Sequence, residues 1–355
     1  MQNNPKWGVT IVSKSASARR PVTSTDVARL AEVSQSTVSR AFSETSKLTP
    51  ETRKRVLDAA RELGYRPNAI ARSLVSSKTN IIGLTVMRNE SPFYSLLVNH
   101  MASVCRDYGY NVMMIRQKEG ESGDETVARA LEYRVDGIVV TAVEDTESVC
   151  QLCRDAKTPI ILLNRYVAGA DVDTVCSDNY LAGKMVVDYL AQKGHRSIAC
   201  LMGAVKASTT RDRLRGMLAK AKTWGVSISR VEYGDYTYES GCEMGRKLMR
   251  SGESLPDAIF CSGDIIAFGV LDVLRHEFGV KVPEEVSVIG FDDINEASWL
   301  SYSLTTVRQP YAELVDTTFN LLMRRMKSPD ESIVRALHVC EIVERSSVRT
   351  IVPNS

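Results

Sequence analysis

The chain has 355 residues, 44% of them hydrophobic and 25% charged. That is longer than one hydrophobic core usually supports and ordinary in composition, so a single small module, a mostly disordered chain and a collagen-like repeat are excluded. The formal net charge of +2 conceals an asymmetry: Lys and Arg outnumber Asp and Glu by 14 to 6 in residues 1–80 and are outnumbered by 31 to 37 beyond them.

A basic first fifth on an acidic body points to a polyanion as the partner of the N-terminal part. No stretch approaches the roughly 18 consecutive apolar residues of a membrane span. The apolar patch from Trp7 to Val12 is interrupted by Gly8 and Thr10 and is too short for a secretory signal. A cytoplasmic protein with no membrane partner is therefore expected. The eight cysteines are scattered, several within apolar runs, and read as reduced, buried thiols. Cys150 and Cys153 form a lone C-x-x-C with no second cysteine pair or histidine cluster, so they read as two positions on one helix. Neither metal nor cofactor is expected.

Residues 1–21 are polar and aperiodic and are expected to form a flexible leader. From 22 to 66 the pattern is that of a small helical domain. Thr23 opens an S/T-x-x-D capping arrangement through Asp26, and Val27, Leu30 and Ala31 follow at helical spacing. Ser34 can cap a second helix with Val38, Ala41 and Phe42 inward and Gln35, Ser36, Ser39 and Arg40 outward. Thr49 and Pro50 start a third, with Val56, Leu57, Ala60 and Leu63 as its stripe and Gly64 at its C-terminal cap. Residues 67–80 are a connector with one helical turn, from Asn68 to near Leu74, too short to be stable alone.

Beyond residue 80, apolar runs alternate with amphipathic segments. Ile81–Val86, Val112–Ile115, Gly137–Val140, Pro159–Leu163, Ile198–Met202, Ala258–Cys261 and Val286–Phe291 read as buried strands. Helical stretches over 94–108, 122–134, 179–193, 209–223, 238–250 and 265–278 separate them, and a helix near 310–327 and a strand near 336–342 complete the body. This is parallel α/β sheet with helices on both faces, and seven or more strands in some 260 residues imply two side-by-side lobes over 81–350. Residues 351–355 read as a tail.

Ligands of open parallel sheets sit at the carboxyl ends of the strands. The residues there are polar: Arg88-Asn89, Thr141, Asn164-Arg165, Gly203 to Lys206, Ser262-Gly263-Asp264 and Asp292-Asp293. With Phe93, Tyr94 and Tyr236 they would line a cleft suited to a polyol or a nucleobase. No phosphate loop, G-x-G-x-x-G, G-x-S-x-G or H-E-x-x-H motif is present, so the sequence offers no catalytic centre. None of the four histidines, His195 included, has a sequence-adjacent nucleophile or carboxylate, and they read as solvated or capping.

The run from Val22 to Arg40 and the segment Glu62-Leu-Gly-Tyr-Arg-Pro-Asn-Ala-Ile-Ala-Arg-Ser-Leu74 closely resemble the DNA-binding head and hinge of the LacI/GalR family of bacterial transcriptional regulators. Ile82-Gly83-Leu84, Val135-Asp136-Gly137-Ile138, Ser177-Asp178-Asn179, Lys193-Gly194-His195-Arg196, Arg213-Leu-Arg-Gly216, Ser262-Gly-Asp264, Val288 to Asp293 and Leu304 to Gln309 resemble its effector domain, in family order over roughly 22–350. The resemblance implies a small all-α helix-turn-helix head on a two-lobed, periplasmic-binding-protein-like α/β effector domain with parallel sheets.

It also implies roles. Gln35, Ser36, Ser39 and Arg40 would contact bases or phosphates in the major groove, with Thr23, Ser34 and Thr37 positioning the backbone. Asn68 would cap the hinge turn, and Ala71 and Leu74 would lie in the minor groove, with Leu74 wedged into a base step. Phe93, Tyr94, Tyr236, Arg213, Asp292 and Gln309 would contact the effector, with Asn164, Arg165 and Asp264 beside them. Arg88, where the family commonly has a small residue, would converge with Arg165 and Arg213 on an anionic group such as a sugar acid or sugar phosphate. Alternatively, Asp292 neutralises Arg213 in a pocket for a neutral sugar. Two departures stand out. Glu32 occupies a turn where the family commonly has Gly, at a cost of roughly 1 kcal/mol if the backbone there is left-handed, and Ser43 replaces a frequent Asn.

The expected protein is a homodimeric, non-enzymatic regulator of near-palindromic double-stranded operator DNA, a repressor relieved by an inducer, with no coiled-coil tail for tetramers. A sugar-binding protein of the same fold without a DNA role is the alternative.

Overall fold

A computed structural model describes residues 20, 22–42, 48–66, 78–86, 91–118, 120–141, 147–155, 157–166 and 171–351. The chain divides into two compact units, Met1–Thr79 and Asn80–Ser355.

In the first unit, α1 (Ser24–Leu30), α2 (Gln35–Ala41) and α3 (Pro50–Leu63) pack around Val27, Ala28, Ala31, Val38, Ala41, Val56, Ala59 and Ala60. The ends of the helices are fastened by the residues the sequence marks. Asp26 accepts from the Thr23 amide at 3.0 Å and from its hydroxyl at 2.8 Å. The Ser34 hydroxyl accepts from the Thr37 amide, Thr49 accepts from the Thr52 amide, and Gly64 closes α3 at φ 66°. Leu30 departs from expectation: it is 44% exposed, because the α1 stripe is filled by Val27, Ala28 and Ala31. Glu32 sits at φ 52°, in the left-handed region that glycine tolerates best.

The second unit holds two six-stranded sheets. The first lobe contains β1 (Ile81–Val86), β2 (Asn111–Arg116), β3 (Gly137–Thr141), β4 (Ile160–Leu163) and β5 (Asp173–Ser177), with α4 (Pro92–Asp107), α5 (Gly123–Glu132) and α6 (Glu147–Asp155). The second contains α7 (Asn179–Gln192), β6 (Ser197–Met202), α8 (Ser208–Trp224), β7 (Ser227–Tyr233), α9 (Tyr238–Arg250), β8 (Ala258–Cys261), α10 (Asp264–Asp272), β9 (Ser287–Asp292) and β10 (Thr305–Arg308). The chain then returns through α11 (Tyr311–Lys327) and β11 (Arg335–His338) to the first lobe, and ends with β12 (Glu341–Val343) in the second. The orders are β11-β5-β4-β3-β1-β2 and β12-β10-β9-β8-β6-β7, with every pairing parallel except β10 with β12. The single strand expected near 336–342 is thus two strands in different lobes. Helix continuity expected to 278 instead ends in a π-turn over Val273–Glu277.

Three crossovers join the lobes, near residues 178, 309–310 and 339–340. They are stitched together: the Asp178 amide donates to the His338 carbonyl at 2.7 Å, and Ser177 Oγ donates to Gln309 Oε1 at 2.7 Å. The return into the first lobe is clamped by Asp173. Its side chain is fully buried and takes bonds from Arg325 at 3.0 Å, Arg324 at 3.3 Å and the Val334 amide at 2.7 Å. Such a carboxylate is tolerated because each lone pair finds a donor.

Of the solvated and capping roles expected for the histidines, His195 takes the second, fully buried beyond the end of α7. One ring nitrogen meets the Leu190 carbonyl at 3.0 Å and must therefore donate, so the other, at 2.8 Å, accepts from Ser287 Oγ. Burial lowers its pKa from the usual 6.5 and keeps the ring neutral. Among the described residues no helix is long and apolar enough to cross a membrane, and no three potential metal ligands cluster.

Two predictions follow from these local constraints. Glu32→Gly should stabilise the head by about 0.5–1 kcal/mol, relieving the left-handed backbone at a smaller entropic cost, read as slower amide exchange across Val27–Ala31. Below about pH 6.5 the unfolded chain takes up a proton that folded His195 resists, so stability should fall with acidification by up to about 1.4 kcal/mol per pH unit. Urea midpoints at pH 7.5 and 5.5 should therefore separate more in the native protein than in His195→Gln.

Candidate functional site

The residues singled out from the sequence gather on two surfaces, one in each unit. On the head, Gln35, Ser36, Ser39 and Arg40 are exposed on α2, opposite buried Val38 and Ala41. Gln35 Nε2 donates to Ser24 Oγ at 2.9 Å, tying α2 to the start of α1. Ser34 Oγ lies 2.8 Å from both the Ser36 and Thr37 hydroxyls, and the Arg40 guanidinium folds back to Thr37 Oγ1 at 3.2 Å. From α3, Arg53 donates to the Ala41 carbonyl at 2.9 Å, which fixes the C-terminal end of α2. The result is a short helix held at both ends, presenting hydroxyls, an amide and a guanidinium to solvent. Those groups match phosphate oxygens and base edges. The Asp26 carboxyl is held down to about 2, chiefly by the Thr23 amide and hydroxyl, so the charge that fastens α1 persists at any physiological pH. Asn68, Ala71, Leu74 and Ser43 lie outside the described residues.

In the body, a narrow cleft is lined by Ser91, Phe93, Tyr94, Asn164, Arg165, Thr209, Arg213, Tyr236, Asp292 and Gln309. The fold brings these together because strands of both lobes end there. Asn164 and Arg165 follow β4, Asp292 ends β9, Gln309 follows β10, and Ser91, Phe93 and Tyr94 stand at the N-terminus of α4. Thr209 and Arg213 lie one turn apart on α8. Arg213 reaches the cleft because Gly183 and Gly216 let α7 and α8 cross in backbone contact; a Cβ at either would lie within about 2 Å of a carbonyl oxygen of the other helix. Tyr236 likewise lies flat on Gly203, where a Cβ would collide with its ring.

Arg213 is 2% exposed and rigidly held. Its Nε donates to Asn179 Oδ1 at 2.8 Å, its Nη1 to the Ser262 carbonyl at 2.5 Å, and its guanidinium lies 3.4 Å over the Phe291 ring. Asp292 accepts from Gln309 Nε2 at 2.7 Å and from Ser91 Oγ at 3.1 Å, the second bond crossing from one lobe to the other. Burial raises its pKa, while Arg213, Gln309 and Ser91 pull it back. Asn164, at φ 66°, donates to the Tyr94 hydroxyl at 3.2 Å, and its buried Oδ1 has no hydrogen-bond partner among the described residues. An unsatisfied buried carbonyl beside a cleft calls for a donor from a ligand.

Eight of the residues expected at the effector site meet here, and Arg88 lies outside the described residues. Asp264 is a correction. It is fully buried beneath the cleft, not on its wall, with Oδ1 accepting from Thr306 Oγ1 at 2.5 Å and Oδ2 from the Ile294 amide at 3.0 Å. Its role is to hold the β9 and β10 ends, and burial together with the Asp292 charge raises its pKa well above the ordinary range. Ser91 and Thr209 escaped the sequence reading. Ser91 caps the helix bearing the aromatic pair, which is the signal that would have found it; Thr209 becomes a wall residue only through the crossing of α7 and α8.

Comparison with known proteins finds relatives of both units. Residues 23–68 match the family described as bacterial regulatory proteins, lacI family, and residues 187–348 match a periplasmic binding protein-like domain. The HTH-type transcriptional repressor PurR of Erwinia tasmaniensis is 32% identical over 329 residues, 91% of this chain and 96% of that protein. PurR of Vibrio atlanticus is 33% identical over 332 residues, 92% and 98%. Among solved structures, the lac repressor dimer bound to operator and the anti-inducer ONPF superposes with a TM-score of 0.84 at 25% identity, covering 93% of this chain and all of that one. The complex of the transcriptional regulator CelR with cellobiose gives 0.69 at 29% identity, covering 92% and 99%. This chain belongs to the LacI family of bacterial regulatory proteins and is a DNA-binding transcriptional repressor controlled by a small-molecule effector.

Proposed function

We propose that this repressor binds a near-palindromic operator as a homodimer and loosens its hold when a small polar effector occupies the cleft. The lac repressor dimer on its operator supports the dimer and the palindrome, since two symmetric heads read two half-sites. On the head, Gln35, Ser39 and Arg40 address base edges, Ser36 takes a phosphate, and Thr23, Ser34 and Thr37 set the backbone. Asn68, Ala71 and Leu74 contact the DNA in its minor groove.

For the effector, the cleft itself is the carrying observation. Arg213 is held so that Nη2 carries no hydrogen bond to the described residues, and the carboxylate beside it, Asp292, is one whose charge burial disfavours. That balance favours an anionic group on the effector, a sugar acid or sugar phosphate, with Arg88 as a further contact. Its ring lies among Phe93, Tyr94 and Tyr236, and its hydroxyls donate to Asn164 Oδ1 and Asp292. That a solved relative, the transcriptional regulator CelR, carries cellobiose supports a sugar-type effector.

Selection of genomic fragments with purified protein, followed by fluorescence anisotropy on the selected site with sugars, sugar acids, sugar phosphates and purines, tests the whole reading. A short palindrome released by a sugar acid or phosphate is expected. Recovery of no preferred DNA, with a compound still bound, would favour the binding-protein alternative. Arg40→Ala should weaken operator binding by roughly 10- to 100-fold and, if the contact is to phosphate, lower the salt slope by about one. Asn164→Ala should reduce affinity for the active compound about tenfold while leaving effector-free operator binding unchanged.

A further inference from the structure

We infer that Thr210 and Gly203 are positioning residues for effector recognition: together they fix the Tyr236 ring so that it meets the effector with its face and not with its hydroxyl. Neither of them lines the cleft. Thr210, in the first turn of α8, is fully buried, and its Oγ1 lies 2.9 Å from the Tyr236 hydroxyl, with either group able to donate. Gly203 directly follows β6, and a Cβ there would collide with Cε2, Cζ and Cδ2 of the Tyr236 ring. Gly263, just before α10, stands at the other edge, where a Cβ would lie 3.1 Å from Cδ1.

Neither glycine is there for its backbone. Gly203 does not have a left-handed φ and Gly263 is extended at φ −164°, conformations open to any residue, so what each supplies is room for the ring. The segment that carries the ring is pinned on both sides. The Gly234 amide donates to the Met202 carbonyl at 3.0 Å, the Asp235 amide to Ser240 Oγ at 2.9 Å, and the Ser240 amide to Thr237 Oγ1 at 3.1 Å. Gly203 is held in turn by its own amide, which donates to Ser262 Oγ at 2.7 Å. Thr210 then fastens the far end of the ring. It stands one helical turn before Arg213, so a single helix sets both the aromatic and the cationic part of this wall. Because the phenol is bonded to a buried partner, the surface left to the effector is the ring face, which suits the C–H face of a sugar ring.

The consequence for regulation rests on the effector-cleft reading above, whereas the position of the ring can be measured without a ligand. In the full chain carrying tyrosine labelled with carbon-13 at both Cε positions, the Tyr236 signals are those lost in Tyr236→Phe. A clamped ring should give two of them, because Cε2 lies against Gly203 and Cε1 beside Gly263. Thr210→Val, which keeps the shape and removes the hydroxyl, should merge the two through ring flipping, and Thr210→Ser should keep them apart. Calorimetric titration with D-glucuronate, D-glucose 6-phosphate and cellobiose then reads the effect on recognition. Affinity for whichever probe the native protein takes should fall about tenfold in Thr210→Val and about 30-fold in Gly203→Ala, and return in Thr210→Ser. Operator affinity without a probe should stay native in all three. Two separate signals in Thr210→Val, merged signals in Thr210→Ser, native probe binding in Gly203→Ala, or a parallel loss of operator affinity would each overturn the proposal. Failure of the native protein to bind any of the three probes would count against the effector reading alone, since the Cε signals decide the clamp without them.

Discussion

A buried carboxylate shared by two lobes governs this structure. Asp292 can be charged in the interior only while donors occupy its lone pairs, and those donors come from different places: Ser91 from the first lobe, Gln309 from a crossover, with the Arg213 charge close by. Burial opposes the charge and the donors support it, so its state depends on the distance between the lobes. In the proposed function, an effector hydroxyl competing for the same oxygens would alter the contact between them. Binding and lobe geometry therefore share one group.

The shared group is tied to the crossovers between the lobes. Gln309 donates to Asp292 with its amide nitrogen and accepts from Ser177 with its amide oxygen, so a single side chain joins the cleft to two of the three crossovers. The third is tied to the first through Asp178 and His338. A change at the cleft is passed to strands that belong to both sheets, not absorbed by one loop. A ligand acts only through its different affinity for the two lobe arrangements, and the packed, hydrogen-bonded crossovers are the kind of element that has discrete arrangements to choose between.

Much of this was legible in the residues themselves. Thr23, Ser34, Thr49 and Gly64 mark helix ends through contacts within four residues, and the structure uses all four. The apolar runs that became β1, β3, β4, β6, β8 and β9 were visible because both faces of a parallel strand are buried. Less visible were β5, β7 and β10. Their polar positions, such as Asp173, Glu232 and Thr306, are satisfied by Arg324 and Arg325, by Lys247, and by Asp264, partners the local pattern does not reveal. The same reason explains Asp264, which follows a strand like a ligand-binding carboxylate yet serves Thr306 and Ile294, and the burial of His195, whose capping bond to Leu190 was expected but whose second partner, Ser287, lies far along the chain.

By itself the sequence determined the three capped helices, the basic head, the rhythm of the parallel strands and most of the residue types around the cleft. These follow from neighbours a few positions apart: capping, periodicity and the burial of strand faces. Only the tertiary structure decided that the strand region near 336–342 splits between two sheets, that Arg213 enters the cleft over a glycine-lined helix crossing, and that Ser91 meets Asp292 across 201 residues of chain. Those contacts arise from non-local pairing and backbone approach, where the partner of each group is set by how the lobes pack and not by the residues beside it.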